Sequence, residues 1–324
     1  MAHKAPGKAF RQGLSIKELF RMFPDDETAE RWFTEVRWPE GVRCPKCESD
    51  NIQERATRKP QPYRCRSCRK DFSVKTDTLM HNSPLGCQTW AIAIYLMTTG
   101  LKGVSSMKLH RDLDVTQKTA WHLAMRIRET FEDDEVAFQG PVEVDETYMG
   151  GKEKNKHGSK KLKAGRGAVG KVAVVGMKDR ETNRVTAEAI ESADGLALKE
   201  FVLDQVADGA KVYTDEHAGY RGLPNHQAVN HSVKEYVDGQ AHTNGIESFW
   251  SMLKRGYHGT YHKMSEKHLG RYVNEFSGRH NARSEDTLDQ MAGIAHRMSG
   301  RRLPYARLID SADKAVLRGG SDAF

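Results

Sequence analysis

Four of the five cysteines of this 324-residue chain form one repeated unit, Cys44-Pro-Lys-Cys47 and Cys65-Arg-Ser-Cys68, with 17 residues between. Each CxxC puts two thiols on a tight knuckle, and two facing knuckles supply the four thiolates of a tetrahedral zinc site. The intervening length fits a β-hairpin, so residues 41–75 are expected to form a zinc ribbon. Sulfur would fill all four positions and leave none for water, which makes the site structural. Two disulfides would use the same residues. However, the first residues, "MAHKAPGKAFRQG", carry charge with no apolar stretch behind them, unlike a secretory signal. A reducing cytoplasm leaves thiols free for metal, and that is the expected compartment. Cys87, the fifth, reads as a small buried hydrophobe.

What such a chain would bind is suggested by its charge. Lys and Arg number 51 against 44 Asp and Glu, a net +7, which suits a polyanionic partner. No run approaches the ~18 apolar residues of a membrane span, so no membrane partner is expected. The basic residues are concentrated. Arg55, Arg58, Lys59, Arg64, Arg66, Arg69 and Lys70 crowd the ribbon, and "GKEKNKHGSKKLKAGRGAVGK" (151–171) is too rich in Lys and Gly to pack. Lys160, Lys161 and Lys163 are the candidates there for gripping phosphates.

Ahead of the ribbon, residues 14–40 read as a helical lead-in. Leu14, Ile16, Leu19, Phe20 and Phe23 recur at helical spacing, "PDDE" interrupts, and Trp32, Phe33 and Val36 follow before Pro39 and Gly41 end it. Behind the ribbon, residues 85–132 read as helices. In the last of them Thr116 is an expected N-cap, and Ala120, Leu123, Ala124 and Ile127 form a buried stripe. Gln117, Lys118, His122 and Arg126 would then point outward. A short helix, a tight turn and this second helix match a helix-turn-helix with its reading helix; a plain three-helix bundle has the same pattern.

From Pro141 the periodicity changes to that of strands. "VEVDETYMG", "KVAVVGMKD" (171–179) and "NRVTAEAIES" (183–192) are followed by an amphipathic helix at 195–207. A short strand at 211–215, a weaker one at 226–231 and a helix at 241–256 complete the series. The order β-β-β-α-β-β-α is that of a ribonuclease H-like core, assigned to residues 140–285. The remaining 286–324 reads as a helix and then a polar tail, with no role evident. The expected fold class is therefore α+β and multidomain: helical lead-in, zinc ribbon, helix-turn-helix, and a ribonuclease H-like α/β domain.

The first of these strands ends in adjacent carboxylates, Asp145 and Glu146, followed by Gly150 and Gly151. Asp215 ends the fourth strand, which neighbours the first in such a sheet. Two carboxylates forced together repel unless a cation sits between them. An acidic strand end in a basic chain is thus explained by a hard divalent ion on Asp145 and Asp215. Strand alternation puts Glu146 on the other face and makes it secondary. The helix at 241–256 adds Asn244, Glu247 and Lys254 on one stripe, with Phe249 and Trp250 opposite for packing.

Taken together, "RWPEGVRCPKC", the second knuckle, "VEVDETYMGGK", "VYTDEHAGY" and "HTNGIESFWSMLKRG" resemble the bacterial insertion-sequence transposases of the ISXO type. These join a zinc ribbon to a DDE domain and are relatives of the eukaryotic Merlin elements. The resemblance covers roughly residues 15–285 and implies two Mg²⁺ ions (or Mn²⁺), with DNA strand cleavage and transfer at terminal inverted repeats. Asp145 and Asp215 match the family's first two acids. The third position is Asn or Glu in the family, and both Asn244 and Glu247 are present; Glu247, which carries the charge that two cations need, is the expected third magnesium ligand. Lys254 matches the basic residue that follows. The implied partner is double-stranded DNA, both inverted repeats and target, bound by a homodimer or larger synaptic complex associated with the nucleoid. Two other functions share parts of this set. A DNA-binding regulator derived from a transposase would use the zinc ribbon and helix-turn-helix but leave the carboxylates idle. A ribonuclease H-like structure-specific nuclease would use the carboxylates without needing the amino-terminal modules.

Overall fold

The structure is a computed structural model that describes residues 11–55, 57–132, 137–151, 155, 157–162, 168–215, 217–228 and 243–310. Among these, 11–130 and 282–310 form one compact unit and 131–281 a second. The whole is mixed helix and sheet.

In the first unit, α1 (Ile16–Met22) opens with a capping box between Ser15 and Glu18. The chain breaks at Pro24, and α2 (Asp26–Arg37) restarts on Asp25, whose side chain accepts from the Thr28 amide. A three-stranded antiparallel sheet follows, β1 (Ile52–Glu54), β2 (Tyr63–Cys65) and β3 (Asp71–Phe72), in the order β1-β2-β3. Then come α3 (Cys87–Thr99), α4 (Ser106–Leu113) and α5 (Gln117–Arg128). The central helix is α3: Trp90, Ala91, Ala93, Ile94, Tyr95, Met97 and Thr98 are all buried, as a helix apolar on nearly every side requires. Cys87 is buried at its first position. The Thr116 hydroxyl caps α5 by accepting from the Thr119 amide, and Asp114, in the left-handed region at φ 50°, makes the turn before it.

The second unit is a five-stranded sheet with helices on both faces. Its strands are β4 (Val142–Met149), β5 (Val172–Asp179), β6 (Val185–Ile190), β7 (Val212–Thr214) and β8 (His226–Ala228). They lie in the order β6-β5-β4-β7-β8, with β4, β5 and β6 antiparallel and β4, β7 and β8 parallel. The β5–β6 hairpin turns on Asp179, whose Oδ1 accepts from the Glu181 and Thr182 amides at 2.8 and 2.9 Å, while Asn183 adopts φ 58°. α6 (Gly195–Gln205) packs Leu198, Phe201 and Val202 onto Val142, Val144, Val175 and Met177. By alternation the other face of β4 carries Glu143 and Asp145, and it is covered by α7 (Asn244–Gly256). α8 (Leu269–Asn281) lies against β6, where Asn281 both donates to and accepts from the Val185 backbone and so covers a sheet edge.

The segment after 281, which has no role legible in the sequence, returns to the first unit. There α9 (Thr287–Arg297) packs against α2 and α3, and α10 (Tyr305–Ile309) follows it. No described helix is long and apolar enough to cross a membrane.

Candidate metal centres and active site

The two knuckles of the ribbon face each other as their spacing requires. Cys44 Sγ lies 3.5 Å from Cys68 Sγ, and Cys47 Sγ lies 3.6 Å from Cys65 Sγ. All four sulfurs fall within 4.8 Å of one another. A tetrahedron of Zn–S bonds near 2.3 Å has S···S edges of about 3.8 Å, so the set fits zinc. Both knuckles are built alike. The Cys44 amide donates to the Ser49 carbonyl and the Cys65 amide to the Lys70 carbonyl, and Glu48 and Arg69, each just after a second cysteine, have φ of 58° and 60°. The Cys68 amide donates to Cys65 Sγ and draws that thiol down, whereas burial pushes the Cys44 thiol up. Trp38, Tyr63 and Phe72 pack edge to face and tilted beneath the knuckles. The basic surface is smaller than composition suggests, because Arg55, Arg58 and Arg64 converge on Asp71 at 2.5, 3.8 and 3.1 Å.

In the second unit, β4 and β7 bring Asp145 and Asp215 together as the strand order demands. Ligand oxygens of Asp145, Glu146 and Asp215 fall within 4.8 Å of one another. Here the structure amends the sequence reading, which left Glu146 aside. Its side chain does point to the α6 face, but β4 pairs with β7 only at Val142↔Val212 and Glu143↔Tyr213. Beyond that point no described strand pairs with this edge of β4, and carboxylates from both faces converge around it. Tyr220, fully buried, donates its hydroxyl to Glu146 Oε2 at 2.9 Å. His217 Nε2 stands 3.9 Å from Oε1 of the same carboxylate, and the His217 amide donates to Asp215 Oδ1 at 3.0 Å.

Burial, then the Glu146 and Asp215 charges, push the Asp145 carboxyl up to about 7. Burial raises Glu146 too, against the pull of the Tyr220 hydrogen bond. Carboxylates crowded and desolvated in this way repel one another, which is the condition a hard divalent cation relieves. The donor set therefore fits Mg²⁺ or Mn²⁺.

α7 meets this cluster from the opposite face. Glu247 stands outside the tight group: it is exposed, and its Oε1 accepts from Thr243 Oγ1 at 3.1 Å. Its charge nonetheless reaches Asp145, where it adds to the upward shift. Asn244 and Lys254 are exposed near the two ends of the helix. Two residues that the sequence reading missed lie beneath. Buried Glu143 holds the start of α7, and Trp250, expected only to pack, donates Nε1–H to Asp145 Oδ2 at 3.0 Å.

The expected reading face of α5 is partly covered. Gln117 is exposed, with Nε2 donating to Ser106 Oγ, and Lys118 sits over the Tyr305 ring at 4.4 Å. His122 Nε2 lies 3.0 Å from the Leu303 carbonyl, to which Arg126 Nε donates at 3.2 Å. The returning carboxy-terminal segment thus engages three of the four side chains expected to face outward. In the basic loop Lys161 is exposed, while Lys163 and the side chain of Lys160 lie outside the described residues.

Two stretches of the chain are similar to known protein families. Residues 137–281 match the ISXO2-like transposase domain, and residues 24–71 match the transposase zinc-ribbon domain. The chain is 27% identical over 249 residues to a protein of Halobacterium salinarum described as an uncharacterized protein in transposable element ISH50. That match covers 72% of this chain and 84% of the other.

Proposed function

We propose that this chain, which carries the zinc-ribbon and ISXO2-like domains of an insertion-sequence transposase family, is the DNA transposase of its element, cutting and joining DNA strands at the terminal inverted repeats. The convergence of Asp145, Glu146 and Asp215 carries the reading, because a DNA-binding regulator would have no use for a carboxylate cluster that costs folding stability. The sheet order β6-β5-β4-β7-β8, with the second strand antiparallel to the first, supports a ribonuclease H-like fold for 140–285. The zinc ribbon over 41–75 and a helix-turn-helix over 85–132 would give the architecture a nuclease of the same core does not need.

In this reading Asp145 and Asp215 hold the divalent ions, Glu146 shares them, and Glu247 is the third acid of the family pattern. When bound, such ions activate a water, later a 3′-hydroxyl, and stabilise the leaving oxygen. The protein's own groups orient the carboxylates and the DNA. Tyr220 and His217 fix Glu146, Lys254 holds a phosphate beside the site, and Lys161, with Lys160 and Lys163, contacts the backbone. Gln117 and Lys118, with His122 and Arg126 once released from Leu303, would contact the inverted repeat. The four cysteines hold one structural zinc. Pairing two element ends calls for at least a homodimer, at the nucleoid in the cytoplasm.

Linear DNA bearing the element's ends, mixed with purified protein, should yield cleaved and strand-transferred products with Mg²⁺ and none with chelator. Asp145→Asn and Asp215→Asn should bind the ends and leave them uncut. Products formed equally by these variants would overturn the proposal.

A further inference from the structure

The first aspartate of the cluster is gripped from the α7 side. Trp250 is 3% exposed, yet its one polar atom is directed at Asp145 Oδ2, 3.0 Å away. A buried indole N–H takes a partner wherever one is in reach, so the bond alone would say little. The sheet beneath it says more. Gly176 lies directly opposite Asp145 in the β4–β5 register, and so faces α7 as well. A Cβ on Gly176 would stand 2.6 Å from Trp250 Cη2 and 2.9 Å from Cζ2. Its partner on β6 is Ala187, another small residue. The sheet is thinned where the indole passes over it to reach the carboxylate. Along the helix axis, Glu143 Oε2 accepts from the Gly245 and Ile246 amides at 2.7 and 3.0 Å, which fixes α7 against the strand that carries Asp145.

We propose that Trp250 is the positioning residue for Asp145: its N–H occupies Oδ2, holds the carboxylate in one orientation and leaves Oδ1 for the divalent cation shared with Asp215 and Glu146. The inference rests on the metal-centre reading above. A donor on one oxygen favours the ionised carboxylate, opposing the burial and crowding that disfavour it. It also sets how Asp145 binds, through one oxygen rather than both.

The test is Mg²⁺ binding by the full-length protein, followed by calorimetry, together with the indole ¹⁵N–¹H signal that disappears in Trp250→Phe. Phe keeps most of the ring packing and removes the donor. Trp250→Phe should bind Mg²⁺ about tenfold more weakly, the scale of a lost outer partner, with cooperative thermal unfolding retained. Gly176→Ala, which displaces the indole while leaving both Trp250 and Asp145 in the sequence, should weaken binding in the same direction. In the wild type the indole signal should shift as Mg²⁺ saturates, and in Asp145→Ala that shift should vanish. Wild-type Mg²⁺ binding that needs Asp145 but is unchanged in Trp250→Phe, or an indole signal indifferent to Mg²⁺, would overturn this inference alone. A wild type that binds no Mg²⁺ would overturn it together with the metal-centre reading.

Discussion

Glu143 of β4 caps α7 through the backbone of Gly245, its Oε2 accepting that amide at 2.7 Å and the next, from Ile246, at 3.0 Å. Thr243, the N-cap residue, supplies no side-chain cap of its own; its hydroxyl donates to Glu247. The helix therefore takes its cap from 102 residues upstream, and Glu143 Oε1 accepts from Arg180 Nε at 2.8 Å in the same buried network.

Replacing Glu143 with Ala removes a helix cap and one side of a buried ion pair. Such a loss costs about 3 kcal/mol or more, visible as a lower denaturant midpoint for the second unit. Gly245→Ala separates this account from helix propensity. Propensity favours Ala by about 1 kcal/mol, but a Cβ at 245 would lie 2.6 Å from Glu143 Oε2 and 3.0 Å from Lys178 Nζ. Gly245→Ala should therefore destabilise, and a rise in melting temperature would refute the cap.

The second prediction concerns pH. Asp145 is raised from 3.8 to about 7, so the folded state holds a proton that the unfolded chain has already lost. Its contribution is therefore stabilising at low pH and fades as pH climbs from near 4 through about 7. Without metal, the second unit should lose stability across that window, and Asp145→Asn should flatten the loss. Because a cation must displace the proton, the Mg²⁺-induced rise in melting temperature should be larger above pH 7 than below it. A Mg²⁺ shift independent of pH in the wild type would contradict this.

These outcomes turn on features of unequal legibility in the sequence. The knuckles, the helix start at Thr116, and the pairing of Asp145 with Asp215 follow from local chemistry and strand order, and all were readable. Glu146 was read on the correct face but as secondary, and its place in the cluster was not legible for a specific reason. Alternation fixes a side chain's face but not where a neighbouring strand stops, and β7 stops just short of the site. Trp250 and Gly176 were invisible as a pair because only the packing of α7 on the sheet brings them together. The cover on α5 arrives 177 residues later in the chain, at Leu303, beyond the reach of any periodicity.

Zinc offers the third prediction. Among the described residues, the core beneath the knuckles is small: Cys44, Cys65 and Phe72 are buried, with Trp38, Val42, Ile52, Tyr63 and Cys68 partly buried around them. A core this small needs a metal to hold it. Protein purified without chelator should carry about one zinc per chain, and Cys44→Ser should lose it together with the dispersion of the ribbon's amide signals. Metal analysis that finds none would remove the site.

The last prediction ranks the acids beside Asp145 and Asp215. Glu146 is already in the cluster, held by Tyr220 and faced by His217, so Glu146→Gln should reduce both Mg²⁺ affinity and cleavage. Glu247 is exposed and outside the tight group, but its charge bears on Asp145. Asn244 offers only a neutral carbonyl. If Glu247 closes onto the ions when DNA is bound, Glu247→Gln should abolish cleavage as fully as Asp145→Asn while leaving Mg²⁺ binding by the free protein nearly intact. Asn244→Ala should then cost about 10–100-fold in rate, the scale of an outer partner. The pattern is checked by pairing calorimetry on the free protein with single-turnover cleavage of end-bearing DNA. Normal cutting by Glu247→Gln beside a dead Asn244→Ala would make Asn244 the third ligand. Normal cutting by both, with Glu146→Gln dead, would place the whole metal site on the sheet.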